Sequence, residues 1–68
     1  MTIPEALAAA VDRAKAKGHT HAEFMVKLGI SNGQFYDAMD GKLGVETVRK
    51  LDAAGIIGAR DIVRWVRG

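Results

Sequence analysis

The apolar positions of this chain fall into five short groups at helical spacing, most of them closed by a glycine. Ile3, Leu7, Ala10, Val11 and Ala14 recur every three or four residues and predict one stripe along a first helix that Thr2 opens and Gly18 ends. Thr2 and Glu5 stand at capping-box spacing, and Pro4 is tolerated in a first turn because its missing N–H has no intrahelical partner there. Arg13, Lys15 and Lys17 crowd the far end, where cations suit the helix dipole; they are either a solvated helix end or a phosphate contact. A second helix over about residues 21–28 turns Phe24, Met25 and Leu28 inward, and a third over about 32–40 does the same with Phe35, Ala38 and Met39. A fourth over about 45–54 has Val45, Val48 and Leu51 as its core face. Glu46, Arg49, Lys50 and Asp52 form its solvated face, with Glu46 and Lys50 an i, i+4 pair in the favourable order. A fifth over about 59–67 carries Ile62, Val63, Trp65 and Val66, too many apolar groups for one narrow stripe, beside a basic row of Arg60, Arg64 and Arg67. The expected fold class is all-α, a compact bundle of about five short helices making one domain over residues 1–68.

The stretch from Thr20 to Gly41 organises the rest. Thr20 and Glu23 form a Thr-x-x-Glu capping box, and Ser31 and Gln34 a Ser-x-x-Gln one. Ile30 before the second cap and Phe35 inside the helix have the spacing of a hydrophobic staple. Gly29 falls where the first of these helices must stop, and glycine accepts the left-handed conformation that a sharp turn requires. Two capped helices with so few residues between them must cross.

This stretch resembles the helix-turn-helix of the Cro and phage-repressor family, the XRE-like regulators. Members tend to read Thr-Gln-x-x-Leu-Ala-x-x-Leu-Gly-(Val/Ile)-Ser, then three variable residues, Ile, and a glycine closing the second helix. Thr20, Leu28, Gly29, Ile30, Ser31 and Gly41 match without a gap. Phe24 and Phe35 replace aliphatic residues, Met25 stands where the family has Ala, and His21 where a Gln often touches a phosphate. The resemblance implies a lambda-repressor-like bundle whose 32–40 helix enters the major groove of double-stranded DNA. It implies a last helix that carries a dimer interface, so that a homodimer meets a two-fold operator with its recognition helices about 34 Å apart. The implied function is a small phage or bacterial transcriptional repressor.

On that expectation the DNA-contacting residues are His21, Ser31, Asn32, Gly33, Gln34, Tyr36, Asp37 and Lys42. Asn and Gln can bond adenine bidentately, Asp can accept from a cytosine amine, and Gly33 lets the helix start approach a base edge. Gln34 has two readings, cap partner or base reader. No Arg or Lys lies on the helix, so the commonest contact, Arg to guanine, is missing. Lys42, directly after it, is the phosphate candidate, with His21 as a further donor. The candidate dimer interface is Ile56, Ile57, Ile62, Trp65 and Val66, since so small a domain is not expected to bury all five. The alternative for Trp65 is that it caps the core.

With 68 residues the chain makes one small domain, and 49% hydrophobic content suffices for a packed core. It has no cysteine, hence no disulfide and no thiolate metal site or nucleophile. A net charge of +2 and a pI near 9.3 are mildly basic and argue against a DNA mimic. His19 and His21 lack the i, i+4 spacing and third ligand that a metal requires. No catalytic constellation, cofactor motif, apolar membrane-length run or signal peptide is present, so the expectation is a cytoplasmic non-enzyme with no cofactor, membrane partner or small-molecule ligand. Two alternatives of other kinds stand beside the repressor: a protein-interaction module built on the same fold, and an excisionase-like factor that bends DNA. Salt dependence of DNA binding separates the first of these from the rest.

Overall fold

In the computed structural model, which describes residues 2–68, five α-helices follow one another with no strand among the described residues. They are α1 (Ile3–Ala16), α2 (His21–Leu28), α3 (Asn32–Met39), α4 (Val45–Ala53) and α5 (Ala59–Arg67). Every expected helix forms, and the two that differ, α3 and α4, end one residue early.

Local chemistry accounts for the boundaries. Thr2, Thr20 and Ser31 each sit in extended backbone and accept from the N–H three residues on, while Glu5, Glu23 and Gln34 accept from the caps' own N–H groups. α5 has half of such a box: the Asp61 carboxylate accepts from the N–H of Gly58 at 3.0 Å. The stop of α2 is a Schellman motif. Gly29 adopts φ +73°, its N–H bonds Val26 O at 3.1 Å, and the N–H of Ile30 reaches back to Met25 O at 3.4 Å. The same pair of bonds closes α1, α3 and α4.

The core joins α1 to α2 and α3 through Ile3, Ala6, Leu7, Ala10 and Val11 on one side and Phe24, Met25, Leu28, Phe35 and Ala38 on the other. Leu7 and Leu51 are fully enclosed. Ile30 and Phe35, the expected staple, are both buried in this core.

Three expectations are corrected. Val45 is 59% exposed, and Thr47 is buried in its place beside Val48 and Leu51. At 100° per residue Val45 lies roughly 110° around the helix from the centre of the Thr47–Val48–Leu51 face. Met39 sits at the rim of α3 rather than in the core, on the flank of the Phe35–Ala38 face. Ile57, expected in a dimer interface, is only 5% exposed and belongs to the core, because the turn after α4 folds it under the bundle. Ile56, Ile62 and Trp65 are half-buried against that core, and Val66, at 71% exposure, is the one member of the expected patch left open.

Candidate nucleic-acid interface

Helix α3 owes its position to its inner face. Phe35 and Ala38 point into the core and fix the helix across α1 and α2. The placement of its other residues, and of its C-cap Asp40, follows from the helical period. Gly33, Tyr36, Asp37 and Asp40 lie opposite Phe35 and Ala38, and Asn32 flanks them. All five are exposed. The side chains of Asn32, Tyr36 and Asp37 make no hydrogen bond to another described residue. A Cβ added at Gly33 meets only Ser31 Oγ, at 3.9 Å, so the backbone at the helix start is openly accessible.

Four candidate contacts, Ser31, Gln34, His21 and Tyr36, are constrained by the fold. Ser31 Oγ accepts from the Gln34 N–H at 3.2 Å, and Gln34 Oε1 accepts from the Ser31 N–H at 2.9 Å. Gln34 therefore serves as a cap through its oxygen, and only its amide N–H groups remain to donate. The cap reading is therefore met, and a base contact is left to the amide N–H groups alone. His21 is half-buried, and its ring meets Phe35 edge to face with centroids 4.7 Å apart. Its Nε2 is enclosed and has no partner, so the expected phosphate contact cannot use that atom as the ring stands. The aromatic contact seats His21 as a spacer between the starts of α2 and α3. Tyr36 leans edge to face on Phe35 at 5.5 Å while its ring stays mostly in solvent.

The charge on this face is acidic. Asp37 and Asp40 are the only acidic or basic side chains on the outward side of α3 and its cap. Lys42, the expected phosphate contact, lies 3.6 Å from the Asp40 carboxylate, with both side chains about three-quarters exposed at 74% and 73%. The backbone N–H of Lys42 bonds Asp37 O at 2.7 Å, which fixes where its side chain emerges. On α2 the Glu23 carboxyl is held below the usual carboxylate range, first by the Thr20 backbone N–H and then by the Thr20 hydroxyl.

Sequence reasoning missed one contact that holds the turn in place. The Lys50 ammonium donates to Gly29 O at 2.7 Å, tying α4 to the end of α2. The i, i+4 spacing points Lys50 at Glu46, yet no ion pair forms between them; Lys42–Asp40 is the one ion pair among the described residues. Nothing in the local sequence marks a carbonyl 21 residues away as the partner. No cluster of three or more His, Cys, Asp or Glu side chains suited to a metal occurs among the described residues, and no helix there is long and apolar enough to cross a membrane. No family model, curated protein or solved structure matches the chain.

Proposed function

We propose that this chain is a helix-turn-helix DNA-binding domain that presents α3 to the major groove of double-stranded DNA and acts as a transcriptional regulator. The observation that carries the proposal is the division of labour on α3. Its inner face is locked by Phe35 and Ala38, while Asn32, Gly33 and Asp37 are exposed with no side-chain partner, and Tyr36, though its edge rests on Phe35, keeps most of its ring in solvent. Asn32 is the adenine reader and Asp37 the acceptor for a cytosine amine. The N–H groups of Asn32 and Gly33, left over by the capping box, are donors to a phosphate at the helix start. We extend the proposal to a homodimer formed through α5, with Val66 at its centre and the half-buried Ile62 and Trp65 beside it.

Fluorescence anisotropy on duplex fragments at low and near-physiological salt tests the proposal. A preferred fragment whose affinity falls as salt rises is the expected result, and Asn32→Ala flattens the preference without loss of helicity. No binding at low salt removes it. Sedimentation of the native chain beside Val66→Glu tests the dimer: a native dimer that V66E converts to monomer is expected, and a native monomer at high concentration refutes it.

A second reading, a protein-interaction module, is favoured by the acidic character of α3. A helix bearing Asp37 and Asp40, with its nearest cation drawn to Asp40, is suited to a basic protein partner as well as to a base edge. The anisotropy experiment separates the two.

A further inference from the structure

We propose that the cleft between the C-terminal half of α1, helix α2 and the end of α4 is a binding site for a small anionic amphiphile, a carboxylate on a short apolar body. The cleft lies apart from the face proposed to meet DNA, because α3 contributes no residue to it. The proposal sets aside the expectation, read from the sequence, of no small-molecule ligand.

The cleft measures about 370 Å³. Ligand sites run from about 300 to 1,000 Å³, so this one suits a ligand at the small end of the range. Its floor is apolar: Ala10 and Ala14 from α1, Phe24 and Leu28 from α2, and Ala54 and Ile56 after α4. The space exists because three of these six side chains are alanine where larger ones would have closed the gap. Its rim is cationic. Arg13 stands in the last turn of α1 and Lys17 at its C-cap, and Lys27 joins them from α2. All three are exposed, and none has a carboxylate partner among the described residues. His19 completes the rim.

One acid, Glu23, also lines the cleft and works against an anion. Its Oε1 is engaged by the Thr20 N–H at 2.9 Å, which turns it toward its own helix start. Three unpaired cations against one committed carboxylate leave the rim net positive.

An apolar floor below a cationic rim selects for one chemistry. The floor adds nothing to binding of a bare anion, and the rim adds nothing to binding of a neutral apolar molecule. A cationic amphiphile is repelled. The α5 helix of a second copy is also disfavoured as an occupant, because its outer face bears Arg60, Arg64 and Arg67. The methylene stems of Lys17, Lys27 and Arg13 extend the apolar wall while their heads reach a carboxylate at the mouth.

The test is amide chemical-shift titration of the full chain with octanoate, octanol and acetate at constant ionic strength. Octanoate is expected to give saturable shifts, on the order of millimolar, confined to residues 10–17, 24–28 and 54–56. Acetate and octanol are each expected to bind at least about threefold more weakly. Arg13→Gln with Lys17→Gln, both on exposed positions, lowers octanoate affinity roughly three- to tenfold, the loss expected for two solvent-facing ion pairs, and leaves octanol unchanged. Ala14→Leu fills the floor and abolishes binding of both, with an unchanged circular dichroism spectrum confirming the fold. Equal binding of octanol and octanoate overturns the proposal, as does acetate acting alike or a failure of octanoate to saturate. If duplex DNA shifts the Arg13, Lys17 and Lys27 amides and octanoate does not, the cations serve phosphates and the proposal falls.

Discussion

Replacing Lys50 with Met tests whether the turn between α2 and α3 is held from outside the turn. Methionine keeps most of the apolar stem and removes the ammonium that donates to Gly29 O at 2.7 Å. Two effects are lost together. A cation leaves the negative end of the α2 dipole, an effect of about 0.3–1 kcal/mol. A charge-assisted hydrogen bond is also lost; such bonds reach about 1.5–3 kcal/mol when sheltered, but this one is solvent-facing and screened, which brings it near the value of a surface ion pair. The combined cost is about 0.5–1.5 kcal/mol. For a domain of this size 1 kcal/mol moves Tm by about 4–8 °C, so Lys50→Met is expected to melt roughly 3–10 °C lower. Urea unfolding followed by circular dichroism gives the free energy directly, and the slope should not change because the same surface is exposed. Glu46→Gln is the control, because helical spacing makes Glu46 the obvious partner of Lys50. Its stability should match the native chain within about 0.3 kcal/mol. If E46Q costs as much as K50M, or if K50M costs nothing, the tie from α4 to Gly29 does not stabilise the fold and the reasoning fails.

Two further outcomes concern the backbone and the caps. Gly29→Ala forces a Cβ into φ +73° and should cost about 1–2 kcal/mol, whereas Gly33→Ala, at an ordinary helical position with open space, should gain about 0.5 kcal/mol; denaturant melts of the pair check the contrast. If α3 does approach a base edge, the more stable G33A binds DNA more weakly, and anisotropy reads that opposite change. The carboxyls of Glu5 and Glu23 are lowered from the usual value of 4.5 by the N–H and hydroxyl of Thr2 and Thr20. Their folded pKa lies below the unfolded one, so their contribution is present above about pH 4.5 and is lost as pH falls through the folded value. Thr20→Val removes only the hydroxyl and leaves the larger backbone N–H contribution and the Thr2–Glu5 box in place, so it should flatten that acid limb in part in melts between pH 5 and pH 2, and an unchanged limb would mean that the Thr20 hydroxyl does not contribute to it.

What was legible in the sequence was legible because it is local. A capping box spans four residues, a Schellman stop six, and a helical stripe repeats within one turn, so Thr20, Ser31, Gly29 and the Phe35–Ala38 face announce themselves without knowledge of the rest of the chain. Failures came where a side chain chose between local and distant partners. Lys50 abandons Glu46 for a carbonyl on α2, and Val45 has helical spacing to Val48 but begins its helix on the wrong side of the core. His21 shows the same limit. It occupies a position that reads as a phosphate donor, yet tertiary packing lays its ring against Phe35 and encloses Nε2. The tail is the clearest case. Ile57 and Val66 look alike in sequence, and only the turn after α4 decides that one is core and the other surface. The cleft beside α1 is invisible for a related reason: a void is a property of which alanines face each other, here Ala10 and Ala14 from α1 and Ala54 from the turn after α4.

The acidity of α3 makes the DNA proposal unusually specific about salt. Asp37 and Asp40 neutralise no phosphate, and no cation lies on the helix. Electrostatic affinity near α3 must come from Lys42, which Asp40 already holds at 3.6 Å, and from neutral backbone donors. With roughly one to three phosphates neutralised per protomer, the slope of log affinity against log salt should be about −1 to −3, shallow for a protein that reads DNA. Asp40→Asn frees Lys42 and removes a repulsive charge, so it should strengthen binding to all sequences alike and steepen the slope by about one. Asp37→Asn behaves differently if Asp37 accepts from a cytosine amine. It also removes repulsion, yet it swaps a pure acceptor for a group that can bond adenine, so preference shifts from C to A at one base pair while overall affinity holds or rises. Measuring both variants on a panel of single-base operator changes separates a charge that merely repels from a charge that reads. Identical, sequence-independent gains from the two substitutions would remove Asp37 from the recognition surface and leave Asn32 as the one side chain on α3 with a base to read.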